Sequence, residues 1–286
     1  MNSIVESITL GGHVSTSGGI YTSVDRASSF PFKTFQIFSK NQMQWKAKPL
    51  VKEDIDRFRE SAKRKGMSGI MIHASYLLNM GTVDPELRGK VLEAFSEEIE
   101  RADLLGIDFL TFHPGSAGKS GNPAESRKMV AENLNSLIDE KQKVRILLET
   151  SAGQGQTIGS SFEELAEIID MVNLKEKVGI CFDTCHVWAS GYDIKSRNGY
   201  GETMDRFKSI IGLARLLGFH LNDSKKGQGS RVDRHEQIGQ GTLGIDGISN
   251  FVRDKRFAMT PMILETPKGE EGYPDDLRAI SSISPD

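Results

Sequence analysis

The sequence lacks the marks of secreted and membrane-embedded proteins. It contains two cysteines in 286 residues, Cys181 and Cys185, which cannot form a disulfide framework and agree with a reducing compartment. It has no apolar run near the roughly 18 residues that suggest a membrane span, and no basic-then-apolar secretion leader. We therefore expect no membrane partner and a cytoplasmic location, or a nuclear one in a eukaryote.

An excess of basic residues is also missing. The formal net charge is −3, which argues weakly against a nucleic-acid partner because nucleic-acid-binding domains are usually basic. Three bound divalent cations would add six positive charges and bring that net charge to +3, so the objection is weak if metals bind. The 37% hydrophobic and 26% charged residues are typical of a globular protein with a sizeable core.

Apolar, strand-like runs alternate with helix-like segments along the chain. The predicted strands lie at 7–12, 34–38 and 69–73 and near positions 109, 145, 178, 218 and 262. The predicted helices lie at 20–29, 53–65, 84–105, 125–139, 161–171, 202–217 and 246–254. This alternation predicts a single (β/α)8 TIM barrel domain over residues 1–286, with an open doubly wound sheet as the alternative fold.

Most of the predicted strands end on a side chain that can bind a metal. Because the carboxyl ends of all strands meet at one end of a barrel, these side chains are expected to form a cup of ligands there. Imidazole and carboxylate groups are ligands that zinc takes. The strand-end candidates are His73, His113, Glu149, Asp183, His220 and Glu265.

Three more candidate ligands lie outside the strand ends. An extended backbone sends residues i and i+2 to one side, so Asp233 and His235 can hold the same ion. His186, expected on the loop after Asp183, would complete the shell of that ion. Packing gives no reason for nine such residues to occupy these positions together.

Nine stretches around these residues form long motifs. They are Gly12-His-Val-Ser15, Asn41-Gln42 with Gln44-Trp45, His73-Ala-Ser-Tyr76, Thr111-Phe-His-Pro-Gly115, Leu148-Glu-Thr-Ser-Ala-Gly-Gln-Gly155, Phe182-Asp-Thr-Cys-His186, His220-Leu-Asn-Asp-Ser224, Arg231-Val-Asp-Arg-His235 and Leu264-Glu-Thr-Pro267. Together they resemble the endonuclease IV family of zinc-dependent apurinic/apyrimidinic (AP) endonucleases. The resemblance covers nearly the whole chain.

The resemblance implies three zinc ions per chain. His73, His113 and Glu149 would hold the first ion, and Glu149, the catalytic residue, would bridge to the second. The second ion would also take Asp183, His220 and Glu265. The third would take His186, Asp233 and His235. The implied reaction is hydrolysis of the phosphodiester bond 5′ to an abasic site in duplex DNA, leaving a 3′-hydroxyl and a 5′-deoxyribose phosphate, with 3′-phosphodiesterase trimming as a further activity.

The resemblance also implies residues that contact DNA. Tyr76 matches the family residue that wedges into the base stack, and Asn41 and Gln42 belong to a matching stretch. Arginine is common in the family at the position of Met43, so the chain departs there, although methionine can also serve as an apolar wedge. Basic residues that flank the mouth and could meet phosphates are Lys225, Arg231 and Arg234, with Lys40, Lys46, Lys48 and Lys226.

Two other functions compete with this one. A sugar isomerase on the related xylose isomerase-like barrel would also collect carboxylates and histidine at strand ends, but it has no need of His186, Asp233 and His235. A non-catalytic binder of damaged DNA would be favoured by lost ligands, and none is lost.

We expect the protein to be a monomer. For four further side chains, the sequence supports two interpretations each. His13 either lines the site or packs against it. Cys181 is expected to be a buried structural thiol, with a thiolate ligand as the alternative. Trp188 and Tyr192 either face DNA from a loop or pack in the core.

Overall fold

Eight parallel strands close into a barrel in this computed structural model, which describes residues 4–118 and 121–284. Including two short strands outside the barrel, the strands of the described residues are β1 (Leu10–His13), β2 (Thr34–Ile37), β3 (Met71–His73), β4 (Phe109–Phe112), β5 (Arg145–Glu149), β6 (Val178–Asp183), β7 (Leu216–His220), β8 (Asp223–Ser224), β9 (His235–Glu236) and β10 (Met262–Leu264). The barrel order is β1-β10-β7-β6-β5-β4-β3-β2, and β8 and β9 form a separate antiparallel pair. The predicted (β/α)8 TIM barrel is confirmed, and the open-sheet alternative is wrong.

Helices surround the barrel and follow most of its strands. They are α1 (Ile4–Ser7), α2 (Thr22–Ser28), α3 (Lys52–Arg64), α4 (Pro85–Leu105), α5 (Pro123–Leu137), α6 (Phe162–Met171), α7 (Thr184–Ser190), α8 (Arg197–Ile210), α9 (Gly244–Arg253) and α10 (Tyr273–Ser281). Within residues 4–118 and 121–284, none of them combines the length and apolar character that crossing a membrane requires.

The long helix α4 shows how residues at the two ends of a helix locate it in the sequence. The Asp84 carboxylate accepts hydrogen bonds from the first free N–H groups of the helix, and Pro85 occupies its first position. Gly106 ends the helix in the left-handed conformation, with φ of 70°. The predicted boundaries of this helix therefore match the structure closely.

The barrel interior is built in two layers. The lower layer is apolar and contains Met71, Leu147, Cys181 and Ile263. The residues two positions further along the same strands are His73, Glu149, Asp183 and Glu265. Because side chains along a strand alternate with period two, both sets point inward, and the second set lies one layer nearer the carboxyl end. The ligand candidates therefore rest on an apolar floor, and Cys181 belongs to that floor.

The first strand differs from its prediction. We expected a strand at 7–12 ended by glycines, but Ser7 belongs to helix α1 and the strand runs through both glycines. A Cβ at Gly11 would collide with the Thr34 carbonyl oxygen, and one at Gly12 would lie 2.6 Å from the Tyr273 ring. The glycines are therefore inside the strand because its neighbours approach too closely for a side chain.

Two predictions after the sixth strand also need correction. His186 lies on helix α7, which begins directly after β6, and not on a loop. The helix predicted at 202–217 is α8 at Arg197–Ile210, and β7 has already begun at Leu216. Gly212, with φ of 92°, separates the two elements, since this backbone conformation is unfavourable for other residues.

Candidate metal centre

All nine predicted ligands converge at the carboxyl end of the barrel. They are His73, His113, Glu149, Asp183, His186, His220, Asp233, His235 and Glu265, and each belongs to at least one group whose potential ligand atoms lie within 4.8 Å of one another. A cavity of about 550 Å³ opens above them. The strand ends and the segment before β9 thus bring together residues up to 192 positions apart in the sequence.

The first group surrounds one oxygen of Glu149. Its Oε2 lies 3.2 Å from Nε2 of His73 and 3.8 Å from Nε2 of His113. Glu149 and His73 are buried, whereas His113 is half-buried and borders the cavity. These three residues are the set expected for the first ion.

The second group shares Glu149 through its other oxygen. Nδ1 of His220 lies 3.0 Å from Glu149 Oε1, 3.1 Å from Glu265 Oε2 and 3.9 Å from Asp183 Oδ2. The Glu149 carboxylate therefore stands between two groups of ligands. This is the position expected of a bridging ligand.

The third group depends on how helix α7 begins. Asp183 caps this helix, and its Oδ1 accepts a hydrogen bond from the N–H of His186, at 2.8 Å. The cap places His186 three residues beyond Asp183 and over the same end of the barrel. Asp233 Oδ1 then lies 3.2 Å from Nε2 of His186 and 3.6 Å from Nε2 of His235.

Backbone carbonyls set the orientation of three histidine rings. The Nδ1 atoms of His73, His186 and His235 lie 2.7, 2.9 and 3.0 Å from the carbonyl oxygens of Ala74, Thr150 and Glu265. Since a carbonyl only accepts, each Nδ1 carries a proton, and Nε2 is the nitrogen that has the lone pair in the neutral, metal-binding ring. Nε2 of His186 and of His235 is buried without a hydrogen-bond partner among the described residues. Buried ring nitrogens that make no hydrogen bond and face one carboxylate fit a metal ion.

His220 has the opposite orientation. Its Nε2 donates to Oε1 of Gln36 at 2.9 Å, which leaves Nδ1 facing the carboxylates of the second group. Gln36 also donates to Glu265 through Nε2 at 2.5 Å. Asn222 has a similar double role, because its Nδ2 donates to Asp183 and its Oδ1 accepts from the N–H of Glu265. These two amides are the supporting partners that orient the ligands.

Sequence analysis missed Gln36 and Asn222. A signal for Gln36 was present, because a large amide interrupts the apolar run Thr34-Phe-Gln-Ile-Phe38 and is fully buried. Such a residue needs a buried polar partner. Asn222 is within a quoted motif, but nothing in its spacing distinguished it from an ordinary loop asparagine.

The ionisable groups perturb one another strongly. Burial raises the pKa of the Glu149 carboxyl, but the imidazoles of His113 and His220 outweigh burial and hold this pKa well below its usual range. Burial lowers the pKa of His186, but the carboxylates of Asp183, Asp233 and Glu149 together outweigh burial and raise this pKa well above the usual value. Carboxylates buried at this density are stabilised by nearby positive charge, which bound cations would also supply.

The two cysteines are free thiols near this centre. Burial raises the pKa of Cys181, which lies in the apolar layer, so the structural-thiol interpretation fits this residue. Burial also raises the pKa of Cys185 to about 12. Its sulfur lies close to Asp233 and His235.

The predicted DNA contacts form a rim that is exposed except at half-buried Gln42, and they do not all face the same cavity. Tyr76 is 61% exposed, and its ring centroid lies 5.4 Å from that of His73. Lys225 and Arg234 line the metal cavity together with Tyr76. The other predicted contacts are Asn41, Gln42 and Met43, of which Met43 is 72% exposed, and Arg231, which lines a neighbouring cavity.

Some side chains expected at the mouth point elsewhere. Lys40 is buried, and its Nζ pairs with Glu97 at 2.6 Å, so it cannot meet a phosphate in this arrangement. Trp188 is buried on α7, and Tyr192 stacks on Phe162 with ring centroids 4.3 Å apart, which supports core packing for both. His13 lines the site, because its Nδ1 lies 3.3 Å from Glu265.

Comparisons with known proteins agree with this centre. The model of the xylose isomerase-like TIM barrel family matches residues 24–283. A protein of Thermoplasma acidophilum named "Probable endonuclease 4" is 45% identical over 99% of this chain and 97% of its own length. The crystal structure of endonuclease IV from Thermus thermophilus has a TM-score of 0.85 at 33% identity and covers 96% of this chain and 98% of that one. The chain belongs to the endonuclease IV family.

Solved structures of epimerase-like proteins have the same fold but are less similar in sequence. The structure of a D-tagatose 3-epimerase-like protein has a TM-score of 0.72 at 20% identity, over 96% of this chain and 98% of that one. At that identity the likeness shows a shared barrel and nothing about the reaction. Sugar isomerisation is therefore not favoured for a member of the endonuclease IV family.

Proposed function

We propose that this chain is a DNA-repair AP endonuclease that hydrolyses the phosphodiester bond 5′ to an abasic site in duplex DNA. The products would be a 3′-hydroxyl and a 5′-deoxyribose phosphate, and 3′-phosphodiesterase trimming would accompany the main reaction. The observation that carries the proposal is the third ligand group, His186, Asp233 and His235, whose buried Nε2 atoms lack hydrogen-bond partners among the described residues. A sugar isomerase has no use for this group.

The cofactor in this proposal is zinc, three ions per chain. A set of imidazole and carboxylate donors suits zinc better than magnesium, which prefers oxygen ligands and retains water. Two of the ions would be held by His73, His113 and Glu149 and by Glu149, Asp183, His220 and Glu265. The third would be held by His186, Asp233 and His235, whose two Nε2 atoms approach Asp233 Oδ1. When bound, zinc would supply a water of lowered pKa and neutralise charge on the phosphoryl oxygens.

The protein's own residues would orient the reaction. Glu149 would bind through both oxygens at the centre of the cluster, which makes it the residue on which both neighbouring groups depend. Gln36 and Asn222 would hold Glu265 and Asp183 against rotation. The buried floor of apolar side chains beneath the ligands would exclude water from below.

The rim would select the abasic site. A nucleotide without a base has lost its pairing and much of its stacking, so flipping it out of the helix costs less than flipping an intact one. Tyr76, exposed beside the metal cavity, is the proposed wedge, and Met43 would assist it in place of the arginine common in the family. Lys225, Arg231 and Arg234 would meet backbone phosphates. Asn41 and Gln42 would contact the duplex from the segment that carries Met43.

Several properties of the whole molecule are part of the same proposal. Residues 1–286 would form one domain, the enzyme would act as a monomer, and it would work in the cytoplasm or, in a eukaryote, in the nucleus. Its partner would be double-stranded DNA that contains abasic sites, with no membrane involved.

Elemental analysis of the purified, undialysed protein, run beside an incision assay, tests the proposal. The substrate is a duplex with one tetrahydrofuran abasic analogue, with and without a strong chelator. We expect about three zinc ions per chain and chelator-sensitive cutting 5′ to the lesion. One or two magnesium or manganese ions without incision would contradict the endonuclease and favour the isomerase.

A further inference from the structure

The segment that carries Asn41, Gln42 and Met43 has no regular secondary structure. Residues 39–48, which we name the recognition segment, begin two residues after β2 ends at the carboxyl end of the barrel. A turn shapes its tip, because the Asn41 carbonyl accepts from the N–H of Gln44 at 3.0 Å and the Asn41 side chain accepts from that of Met43. A segment of this kind is expected to be mobile unless side chains hold its backbone.

Charged side chains hold this segment from behind. Four of them, which we name the buried ion network, are Lys40, Glu97, Glu98 and Arg101, three of them from helix α4. Lys40, Glu98 and Arg101 are buried, and only Glu97 is partly exposed. Buried charges of this kind are costly unless each is paired and hydrogen-bonded.

The charged groups of the buried ion network form many of their hydrogen bonds with backbone groups of the recognition segment. Lys40 Nζ donates to the Trp45 carbonyl at 3.1 Å and pairs with Glu97 at 2.6 Å. The second Glu97 oxygen accepts from the N–H of Ala47 at 3.3 Å. Arg101 donates through Nη1 to the Lys48 carbonyl at 3.1 Å. Both ends of the exposed turn are therefore tied to α4.

The other end of the network closes on Ser39. Arg101 donates to the carbonyl of Ser39 and, through Nε, to its hydroxyl at 3.0 Å. That hydroxyl donates in turn to Glu98 Oε2 at 2.5 Å. Burial raises the pKa of Glu98, and the Ser39 bond, Lys40 and Arg101 oppose this shift.

The turn is also joined to the loop of the proposed wedge. The Ser75 hydroxyl donates to the Gln42 carbonyl at 2.5 Å, and Tyr76 is the next residue. Met43 and Tyr76 are both largely exposed. The position of one exposed side chain relative to the other is thus set by the recognition segment, whose backbone the network holds.

From these contacts we propose that Lys40, Glu97, Glu98 and Arg101 are positioning residues for DNA recognition. They touch neither the ligand cluster nor the solvent face of the turn. They keep the 41–44 turn in the one shape in which Met43 and Tyr76 engage a distorted duplex together. This inference rests on the proposed function, since it assigns a role in abasic-site recognition.

The test compares Glu97→Ala with Glu93→Ala in the zinc-loaded enzyme. Glu93 lies one turn earlier on the same helix and also pairs with the recognition segment, at 2.7 Å to Lys46, but both partners are exposed. An ion pair between two exposed side chains contributes little to stability, so its loss should barely affect the segment. Incision of the tetrahydrofuran duplex is measured beside hydrolysis of bis(p-nitrophenyl) phosphate, a small diester that needs only the metal centre.

We expect Glu97→Ala to raise the KM for the abasic duplex about tenfold while kcat falls less than about threefold, since small misplacement of binding groups is costly. Zinc content and small-diester hydrolysis should be unchanged. Glu97→Gln, which keeps an oxygen for the N–H of Ala47, should restore part of the affinity, and Glu93→Ala should resemble the parent. The Gln variant also provides a readout if the Ala variant folds poorly.

Two results would overturn the inference while the parent enzyme still cuts the abasic duplex. One is a KM within twofold of the parent in both Glu97 variants. The other is a parallel fall in small-diester hydrolysis, which would mean that the network supports the barrel as a whole. A parent that does not cut the abasic duplex would instead contradict the proposed function, and this inference with it.

Discussion

The ligand cluster and the rim around it are built in different ways. Six of the nine cluster side chains extend from the ends of barrel strands, most of the nine are buried, and hydrogen bonds with Gln36, Asn222 and backbone carbonyls hold them. The rim side chains Tyr76 and Met43 are 61% and 72% exposed and belong to segments without regular secondary structure. The cluster is fixed by the barrel, whereas the rim depends on contacts made behind it.

This difference assigns chemistry to one region and selectivity to the other. A preorganised cluster needs little rearrangement when a substrate binds, so it can perform the same reaction on any phosphodiester that reaches it. An exposed rim chooses which phosphodiester does so. Changes in the cluster should therefore lower turnover of every substrate, and changes in the rim should act only on duplex DNA.

The largest effect is expected from Glu149→Gln. The substitution removes the charge that both neighbouring ligand groups share, so we expect incision to fall at least about 1,000-fold while affinity for abasic duplex stays close to that of the parent. Gel-shift titration and single-turnover incision measure the two quantities.

Glu236→Gln is the matched control for this substitution. Glu236 lines the same cavity but belongs to none of the ligand groups found among the described residues, so its incision rate should stay within about threefold of the parent's. Retained turnover in Glu149→Gln would refute the bridging role.

A smaller effect is expected from Gln36→Leu. Leucine would leave the Nε2 proton of His220 without its acceptor and release Glu265, so metal affinity or activity should fall about 10- to 100-fold. Zinc titration against a competing chelator and small-diester hydrolysis measure these changes.

Gln142→Leu gives the comparison that isolates this role. Gln142 is also a buried amide, but it bonds the Val144 carbonyl just before β5, at the amino end of the barrel. The Gln142→Leu substitution should lower the free energy of unfolding without lowering the affinity for zinc. Equal zinc affinity in Gln36→Leu and the parent would show that this amide does not orient the cluster.

The fold and the six strand-end ligands could be predicted because both follow strict periodicities, whereas the division of the nine ligands into three groups came from the resemblance to the family. His73 and Glu149 are the last residues of their strands. Because side chains alternate along a strand with period two, the pattern of apolar residues before them fixes their side chains as inward-facing. The cap that Asp183 forms for α7 was missed because the helix begins without a turn after β6, and a seven-residue helix gives little periodic signal.

The rim could not be predicted in the same way. Lysine commonly contacts phosphate, but tertiary packing turns the Lys40 side chain inward, where it pairs with Glu97, 57 positions away in the sequence. No local pattern reports which lysines of a loop are buried. Arg231, with φ of 53°, has a backbone conformation that is uncommon for a residue other than glycine and that no sequence pattern announced.

The smallest of the three effects, and the one specific to the rim, is expected from Tyr76→Ala. Removing the ring should lower the preference for abasic over intact duplex about tenfold, because stacking of an aromatic side chain contributes about 1–3 kcal/mol per base. Competition binding with the two duplexes measures the preference, and small-diester hydrolysis should not change. Tyr76→Phe keeps the ring and should keep the preference, since a wedge acts through its shape and not its hydroxyl. A parent protein with equal affinity for both duplexes would remove the basis for assigning selectivity to the rim.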